Sequence, residues 1–495
     1  MKRDLAALAA EQFDVLIIGG GIFGAGVARD AALRGLRVAL IEKADFASGT
    51  SSRSSKLIHG GFRYLEQHAF RLVAEACRER HMLQRIAPHL VRPQPFLLPV
   101  YDGDRHPLAT IRLGMTLYDL LARYRNVARH QMLSPERALM KEPALSRRGL
   151  RGAVLFYDCQ EDDARFCLDN IIDAADIGAV CANYCELIGF TTRERRVVAA
   201  RVRDNVGTGD AFEIAASVFV NAAGPWVERV AELAPFDGQE AALRPTKGVH
   251  ILLPRLTQQH AVVFQSRRDG RILFVLPWGD CSLVGTTDTE WCGDPANARA
   301  EMEDIQYLLD ETRALFPGSK MQREEIITTF AGVRALADSK EAKPWARSRE
   351  HRVVSHGQNL LSIVGGKYTT YRLIAEQTVD RALELLGERQ RPCRTSETLL
   401  PEHRPPPSGE CICKVPTVYA SDVIHACDDE MAMTVADVMR RRTGLALSRH
   451  GGPDTAAVVA QLMTNRLGWT DVQMYSSLQQ YLHEWKTARP WENSR

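Results

Sequence analysis

The chain has 495 residues, of which 45% are hydrophobic and 25% charged, close to the average of globular proteins. This composition excludes a disordered, collagen-like or coiled-coil protein, and the length predicts roughly two to four domains. The 63 Lys and Arg residues nearly balance the 61 Asp and Glu residues, so no overall field attracts the chain to nucleic acid. Any anion site must therefore be a local cluster of Arg and Lys.

The sequence predicts a cytoplasmic protein without a membrane-spanning helix. The first residues, MKRDLAALAAEQF, contain an apolar run too short for a signal peptide. No uninterrupted apolar stretch reaches the roughly 18 residues of a spanning helix. The 11 cysteines are an odd number spread along a long chain, which favours reduced thiols over a disulfide framework.

The chain opens with a predicted βαβ unit. Residues 15–18 form a short, β-branched apolar run bounded by glycines, typical of a buried parallel strand. Residues 22–33 have helical spacing, and residues 37–41 predict a second buried strand. This strand ends at Glu42, which would accept a hydrogen bond from an adenosine ribose hydroxyl.

A glycine fingerprint lies between the first strand and the helix. Gly19, Gly21 and Gly24 have the spacing G-x-G-x-x-G. The first permits a tight turn, the second lets a pyrophosphate approach the backbone, and the third lets the helix pack closely on the sheet. Because the helix N-terminus also attracts an anion, the pattern in this context predicts a bound dinucleotide.

Hydroxyls and glycines follow the second predicted strand directly. The residues concerned are Ser51, Ser52, Ser54, Ser55, Lys56, His59, Gly60 and Gly61. They suit a long cofactor that passes the end of this strand, which favours FAD over a nicotinamide dinucleotide. The alternative is a solvated, Ser-rich loop without a ligand.

Residues 108–124 predict an amphipathic helix. One face carries four apolar or aromatic side chains, and arginines flank it: Ile111, Met115, Tyr118 and Leu121, with Arg112, Arg123 and Arg125 at the margins. This pattern fits a helix packed on the core. It also fits a helix lying in a membrane interface with its arginines at the headgroups.

The remaining chain predicts a second layer and a helical tail. Several short strands recur between residues 244 and 290, and a buried strand at 360–364 leads into a glycine turn and a helix. A Pro- and charge-rich linker at 391–409 precedes a mostly helical tail at 417–486.

Two segments, GGGIFGAGVARDAALRG and TSSRSSKLIHGGFRYLE, closely resemble the membrane-associated FAD-dependent glycerol-3-phosphate dehydrogenases. This family belongs to the D-amino-acid-oxidase-like flavoprotein superfamily. The likeness continues, in order, through YDCQEDDARF, NAAGPW, KGVHILLP, VGTTD, GVRAL and GGKYTTYR. It covers about residues 13–385, and the helical tail resembles the family's cap.

The resemblance implies an α/β fold with three parts. These are a discontinuous Rossmann-like FAD-binding domain, a β-rich substrate-binding domain with the candidate membrane-facing helix, and a linker with a C-terminal helical cap domain. Their expected bounds are residues 1–95, 150–227 and 355–390 for the first, 96–149 and 228–354 for the second, and 391–495 for the third.

The resemblance also implies the site residues. FAD would be held by Gly19, Gly21, Gly24, Glu42, Thr50, Ser51, Ser55, Lys56 and Gly224, with Gly366 and Lys367 beside the isoalloxazine. The substrate phosphate would be met by Arg63, Arg334 and Arg349, in a pocket lined by Tyr64, His250, Lys367 and Thr369. Arg349 follows a dissimilar stretch, where Arg347 is a rival for the same role.

The chemistry of these residue types suits the implied reaction. Glycerol 3-phosphate is a dianion, and guanidinium groups grip phosphate oxygens in bidentate fashion. The turn at Gly366 and Lys367 can supply N–H groups and an ammonium to negative charge on the reduced flavin. The catalytic base stays open: His59 has the most suitable intrinsic pKa, although its motif position equally suggests a flavin contact, and Lys367 and His250 are the other candidates.

We expect no metal site. Cys411 and Cys413 resemble the opening of a [2Fe–2S] motif, but no later Cys-x-x-Cys completes it. Asp162 and Asp163 could bind a metal, but we interpret them as a helix cap or as partners of Arg165.

The main functional hypothesis is a dehydrogenase that oxidises sn-glycerol 3-phosphate to dihydroxyacetone phosphate. Electrons would pass through FAD to a membrane quinone, with the protein bound peripherally to the inner face of the cell membrane. Two alternatives remain: an O2-using glycerol-3-phosphate oxidase, or related hydroxy-acid or amine oxidase, of the same fold, and a non-catalytic flavin-binding assembly protein. The oligomeric state is open, with a homodimer as one option.

Overall fold

The computed structural model describes residues 1–123, 125–207, 209–236, 243–319, 321–337 and 350–494. These residues form two large β-sheets with flanking helices and a C-terminal helical domain. Strands and helices are numbered in chain order. Among the predicted site residues, Arg349 lies outside the described residues, as do Arg347 and the last residue of the predicted amphipathic helix, Tyr124.

The first sheet is mainly parallel and corresponds to the predicted dinucleotide-binding sheet. Its strands are β1 (Gln12–Ile18), β2 (Val38–Ile41), β7 (Val180–Ala182), β8 (Cys185–Arg193), β9 (Arg196–Asp204), β10 (Ala211–Asn221), β17 (His351–His356) and β18 (Leu360–Gly365). The order β17-β18-β10-β1-β2-β7 is parallel except for β17, and β8 and β9 continue antiparallel from β10.

The predicted βαβ unit is confirmed. β1 and β2 are parallel neighbours, with Val15 opposite Val38, and helix α2 (Ile22–Leu33) connects them. The continuous apolar run of β2 is buried on both faces, as parallel strands covered by helices require. α2 packs beside α6 (Asp163–Asp176) and α9 (Tyr371–Leu386) on the sheet.

The second sheet is mostly antiparallel and is the predicted β-rich layer. Its strands are β3 (Leu57–Ile58), β4 (Arg92–Tyr101), β5 (Gln131–Leu133), β6 (Leu150–Gln160), β11 (Thr246–Pro254), β12 (Ala261–Gln265), β13 (Ile272–Trp278), β14 (Cys281–Gly285), β15 (Thr289–Glu290) and β16 (Thr328–Arg334). The order is β15-β11-β14-β13-β12-β4-β6-β3, with β16 paired to β11 and β5 to β6.

The predicted domain bounds do not follow the two sheets. β3 and the start of β4 lie in the segment 1–95 assigned to FAD binding, yet both strands belong to the second sheet. β6 falls within the segment assigned to FAD binding, yet it pairs with β4 along its length in the second sheet. β17 begins at His351 and pairs with β18 in the first sheet, a few residues before the expected boundary at 355. The division into domains stays a prediction, and the sheet to which each of these strands belongs is what the structure adds to it.

The amphipathic helix is α4 (Leu108–Leu121), and its predicted apolar face is part of the core. Met115 and Tyr118 are only 2% and 0% exposed, and Ile111 and Leu121 pack partly buried in the same cluster. Our hypothesis that this face enters a membrane interface is therefore wrong, and the core interpretation is correct.

The opposite face of α4 is the one that meets solvent. Leu113 is 72% exposed and Leu120 is 56% exposed, and Arg112 and Arg123 are exposed beside them. None of the helices in the described part of the chain has the length and apolarity to cross a bilayer.

Helices complete the two-sheet body and form the C-terminal domain. Those of the body not yet located are α1 (Leu5–Ala10), α3 (Phe70–Ile86), α5 (Pro135–Lys141), α7 (Val227–Glu232) and α8 (Met302–Leu315). The C-terminal domain contains β19 (Cys411–Lys414), β20 (Thr417–Tyr419), α10 (Ala420–Asp429), α11 (Val435–Asp437), α12 (Pro453–Leu467) and α13 (Asp471–Thr487).

Buried ion pairs join this domain to the first sheet. Arg441 and Arg442 donate to the buried carboxylate of Asp45 over 2.5–2.9 Å, and Asp45 follows strand β2 closely. Glu430 pairs with Arg165 of α6 at 2.5 Å. The C-terminal domain is therefore anchored beside the adenosine end of the predicted cofactor site.

Candidate active site

A cavity of about 830 Å³ is lined by residues of both sheets. It brings together most of the predicted site residues, namely Gly19, Gly21, Glu42, Thr50, Ser51, Ser55, His59, Arg63, Tyr64, Gly224, His250, Arg334, Gly366, Lys367 and Thr369. Residues far apart in sequence thus share one space, which is large enough for an extended dinucleotide and a small substrate.

The glycine fingerprint has the close packing that a dinucleotide site requires. Gly19 has φ +111°, and a Cβ there would lie 2.7 Å from the carbonyl oxygen of Ala222. A Cβ on Gly24 would overlap the carbonyl oxygen of Gly19. Gly24 does not line the cavity, since its role is to let α2 approach the sheet, as predicted.

The N-terminus of α2 opens onto the cavity. The backbone N–H of Ile22 donates to Ser51 Oγ at 2.9 Å, and a Cβ on Gly21 would meet only that oxygen, at 3.1 Å. The space next to Gly21 is therefore free of backbone, and the helix N-terminus is available to a pyrophosphate.

Glu42 is fixed by the backbone at the end of β2. Its Oε2 accepts from the N–H of Gly20 at 2.8 Å, and its Oε1 accepts from the N–H of Ala44 at 3.0 Å. Burial raises the pKa of Glu42, while these two N–H groups oppose the rise. Each carboxyl oxygen keeps a further acceptor position, which fits the ribose hydroxyls of an adenosine.

At the other end of the cavity, a glycine turn presents Lys367. Gly365 and Gly366 have φ of +79° and +101°, a region that favours glycine. Lys367 Nζ donates to the carbonyl oxygen of His59 at 2.6 Å. Burial lowers the pKa of Lys367 to about 8, and nearby Arg63 acts in the same direction.

Arg63 and Tyr64 lie on the short turn that follows Gly61. Arg63 Nη2 donates to Tyr64 Oη at 3.0 Å, and the guanidinium lies 4.8 Å from the ring centre. Arg63 Nε is buried without a hydrogen-bond partner among the described residues. A buried guanidinium N–H of this kind at a cavity wall suits an anionic ligand.

Arg334 ends β16 and is held in place by the turn after β14. Its Nη1 donates to Asp288 at 3.1 Å, and its Nη2 donates to Thr286 Oγ1 at 2.9 Å and to the Thr287 carbonyl oxygen at 3.3 Å. Gly248 makes room for it, since a Cβ there would lie 2.6 Å from the guanidinium carbon.

These supporting residues were not assigned by the sequence analysis. Gly248, Thr286 and Asp288 all occur in motifs that carry the family resemblance. Their roles depend on the pairing of β11 with β16, which places Gly248 opposite Gly332. The register between two strands so far apart in sequence cannot be predicted from either motif alone.

His250 is buried between Ser55 and an aromatic ring. Its Nε2 is 2.9 Å from Ser55 Oγ, and its ring stacks on Phe330 with centroids 4.8 Å apart. Burial, together with Arg334 and Lys56, keeps its pKa well below 6.5. Its Nδ1 has no hydrogen-bond partner within the described part of the chain. This nitrogen of the neutral imidazole is therefore available to a ligand.

Lys56, Asp162 and Asp163 all have partners within the protein, and Asp163 pairs with Lys56 instead of the expected Arg165. Lys56 Nζ forms a buried ion pair with Asp163 and donates to the Ser52 carbonyl oxygen at 2.7 Å. Its ammonium is therefore directed away from the cavity, and its contact with FAD stays a prediction. Asp162 caps α6 by accepting from the N–H of Arg165 at 3.1 Å, as predicted.

The cysteines of the suspected iron–sulfur motif lie in β19, with Cys411 exposed and Cys413 buried. Across the described residues, no group of three or more His, Cys, Asp or Glu side chains is placed to hold a metal ion.

Family profiles match nearly the whole chain. The family described as FAD dependent oxidoreductase matches residues 14–372. The family described as the C-terminal domain of alpha-glycerophosphate oxidase matches residues 394–474. The order of the two matches agrees with a two-sheet body followed by a helical domain.

Curated relatives carry a consistent name. A glycerol-3-phosphate dehydrogenase of Synechocystis is 34% identical, over 98% of this chain and 98% of its own length. The aerobic glycerol-3-phosphate dehydrogenase of Staphylococcus haemolyticus is 38% identical, over 78% of this chain and 71% of its own.

A solved structure of similar shape also exists. The glycerol-3-phosphate dehydrogenase of Bacillus halodurans, solved in complex with FAD, covers 98% of this chain and 96% of its own. The TM-score is 0.78 at 28% sequence identity.

Proposed function

The chain belongs to the FAD-dependent glycerol-3-phosphate dehydrogenase family, and from this premise we propose the details of its reaction and its electron acceptor. The enzyme oxidises sn-glycerol 3-phosphate to dihydroxyacetone phosphate and passes the electrons to a membrane quinone. One observation carries the proposal: Arg63 and Arg334 line the same cavity as the glycine cradle of a dinucleotide. An anion site next to a flavin is the arrangement that a phosphorylated alcohol requires.

FAD supplies the hydride acceptor. Gly19, Gly21 and the N-terminus of α2 would hold its pyrophosphate, and Glu42 its adenosine ribose. The turn at Gly366 and Lys367 would lie beside the isoalloxazine. Since Lys367 is cationic below about pH 8, it stabilises negative charge on that side of the cavity.

The two arginines bind the substrate phosphate and orient the glycerol carbon chain. Arg334 has its Nε–H and one N–H of Nη1 left for phosphate oxygens, and Arg63 offers its buried Nε–H. Burial is the main cause of the low pKa of His250, and Arg334 adds to it. A dianion bound to Arg334 would offset the contribution of that guanidinium. Substrate binding therefore makes this neutral imidazole a stronger proton acceptor.

We assign proton removal from the C2 hydroxyl to His250 on this basis. Lys367 is mostly protonated at neutral pH, because its pKa is about 8, and it cannot accept a proton in that form. The backbone N–H and carbonyl of His59 are tied to Thr369 and Lys367, which fits a role in shaping the cavity.

The experiment that tests the reaction is an anaerobic titration of the FAD-loaded protein. sn-Glycerol 3-phosphate should bleach the oxidised flavin band in stoichiometric amounts, whereas glycerol at the same concentration should not. A flavin that stays oxidised at saturating substrate refutes the proposal. In air, hydrogen peroxide formed in proportion to substrate would instead identify an O2-using oxidase, and quinone reduction without peroxide supports the dehydrogenase.

The quinone requires contact with a lipid surface, and we propose the solvent-facing side of α4 as that contact. Leu113 and Leu120 would enter the interface, while Arg112 and Arg123 meet anionic headgroups. The enzyme would thus bind peripherally to the inner face of the cell membrane.

A double substitution, Leu113→Glu with Leu120→Glu, should reduce binding to vesicles that contain anionic lipid. It should also reduce quinone reduction, and it should spare activity with a soluble dye. Val472→Glu is the matched control, because Val472 is 78% exposed on α13 of the C-terminal domain. If the control loses vesicle binding and the α4 variant does not, the membrane contact lies in the C-terminal domain and the assignment to α4 is wrong.

A further inference from the structure

We propose that Asp158 is a positioning residue that holds the substrate-binding turn, residues 59–64, in its active geometry. This inference rests on the proposed function, because it concerns how the same site grips its anionic ligand. Asp158 lies near the end of β6, a strand of the second sheet, and does not line the main cavity.

The carboxylate of Asp158 is buried and reaches the turn directly. Its Oδ1 accepts from the backbone N–H of Gly60 at 3.1 Å and from Tyr118 Oη at 3.0 Å. It also forms a buried ion pair with Arg80. Because three donors converge on one oxygen, the position of the Gly60 amide is set by an anion that is itself fixed.

The turn is in close contact with this carboxylate cluster. A Cβ on Gly60 would overlap both Tyr118 Oη and Cys77 Sγ. Gly60 therefore packs directly on these two side chains, and the backbone of the turn cannot move closer to the protein interior.

The opposite side of the turn faces the active site. The carbonyl oxygen of His59 accepts from Lys367 Nζ at 2.6 Å, and the backbone N–H of His59 donates to Thr369 Oγ1 at 3.3 Å. Arg63 follows Gly60 by three residues. A shift of the Gly60 amide would therefore move the acceptor of Lys367 and the guanidinium of Arg63 together.

The negative charge of Asp158 also affects the pKa of Lys367. Burial and Arg63 lower the pKa of Lys367, and Tyr64, Asp158 and Cys77 raise it. Asp158 thus helps to keep the ammonium protonated at neutral pH. Loss of its charge should lower the pKa of Lys367 further.

A purely structural role would be to neutralise Arg80. However, Arg80 also contacts Tyr118, Asn126 and the carbonyl oxygen of Tyr157. Arg80 thus has partners besides Asp158, whereas the Gly60 N–H joins the turn to this carboxylate. The two roles are therefore separable by experiment.

The test compares Asp158→Asn and Asp158→Glu in the FAD-loaded enzyme. Asp158→Asn keeps the shape and removes the charge. We expect KM for sn-glycerol 3-phosphate to rise about tenfold, the loss of one charge-assisted hydrogen bond. We expect an alkaline limb of kcat/KM near pH 8 in the wild type, where Lys367 loses its proton, and this limb should move to lower pH in Asp158→Asn. Asp158→Glu keeps the charge but displaces it, so KM should rise while the alkaline limb stays in place.

Asp173→Asn is the matched control, because it breaks a buried ion pair with Arg29 that lies away from the turn. If Asp158→Asn loses as much thermal stability as this control but keeps its KM and its alkaline limb, Asp158 is merely structural and the proposal falls. If neither Asp158 variant folds, Tyr118→Phe decides, since it removes one donor that fixes the carboxylate. An unchanged KM in that variant refutes the proposal.

Binding of inorganic phosphate, followed through the flavin spectrum or by equilibrium dialysis, separates this inference from the proposed function. Asp158→Asn should weaken phosphate binding about tenfold relative to wild type and to Asp173→Asn. This result would support a positioning role even if sn-glycerol 3-phosphate failed to reduce the wild-type flavin, an outcome that overturns the proposed function alone. Unchanged phosphate binding would count against Asp158.

Discussion

Replacement of Arg334 by alanine should weaken substrate binding selectively. Arg334 uses three N–H groups on Asp288, Thr286 and the Thr287 carbonyl oxygen, which leaves two for phosphate oxygens. A hydrogen bond to a charged group contributes about 1.5–3 kcal/mol, so the loss of one corresponds to about 10–150-fold in affinity. We expect KM for sn-glycerol 3-phosphate to rise by at least this factor.

The assay is steady-state reduction of a soluble dye with two substrates. We expect glycerol, used at much higher concentration, to be oxidised only slowly by the wild type. Arg334→Ala should leave this rate almost unchanged, because glycerol carries no phosphate for Arg334 to bind. Arg267→Ala is the control, since Arg267 is an exposed arginine of the second sheet's domain that pairs with Asp104. An equal loss toward both substrates would show that Arg334 maintains the fold of the site and does not bind phosphate.

Three further predictions concern the cofactor, the lysine and the domain contact. Gly21→Val should fold but purify without the yellow FAD spectrum, because only Ser51 Oγ is near its side-chain position and the valine would fill the pyrophosphate path; full FAD occupancy would contradict this. The kcat/KM of the wild type should fall as the pH rises through about 8, as Lys367 loses its proton, and Lys367→Met should lack this limb; if the limb persists, another group titrates there. Burial raises the pKa of Glu430, but Arg165, His425 and Arg442 together hold it at about 2. The ionised carboxylate therefore contributes about 3 kcal/mol above pH 4.5, and this contribution is lost as the pH falls toward 2. In thermal unfolding, Glu430→Gln should therefore show a weaker loss of Tm between pH 5 and pH 3 than the wild type (a pH range of about two units), and parallel curves would refute the assignment.

The local parts of the fold and site could be predicted from the sequence. The βαβ unit depends on a buried apolar run, a helical period and glycines at fixed spacing, and all three act within about 30 residues of each other. The role of Gly24 followed from the same pattern. Glu42 could be placed at the cofactor site because it directly follows the second strand of this unit, at the carboxyl end of the parallel sheet.

The non-local parts could not be predicted in this way. The apolar stripe of α4 suits a protein core and a membrane interface equally, so only the packing of Met115 and Tyr118 decides between them. Residues 150–160 were placed in the expected FAD-binding segment, whereas β6 pairs with β4 in the second sheet, because strand pairing depends on partners remote in sequence. Gly248 and Asp158 act on groups that the fold brings close, and no local pattern marks either of them.

The charges around the cavity explain why a nearly neutral chain can bind two dianions. The lining contains eight basic and four acidic side chains: Lys43, Arg53, Arg63, Arg105, Arg229, Arg271, Arg334 and Lys367, against Glu42, Glu66, Glu186 and Asp288. The whole chain carries a formal charge of only +2, so this excess is local, as the composition requires. Arg229 and Arg271 pair with Asp294 and Asp269 outside the lining, so the remaining excess is about two positive charges. The pyrophosphate of FAD and the phosphate of the substrate each carry about two negative charges at neutral pH, which is more than this excess can balance. Binding of the cofactor should therefore weaken the attraction for the substrate. The second anion then depends on the N–H groups of Arg63 and Arg334 that are not used in the hydrogen bonds to Tyr64, Asp288, Thr286 and Thr287.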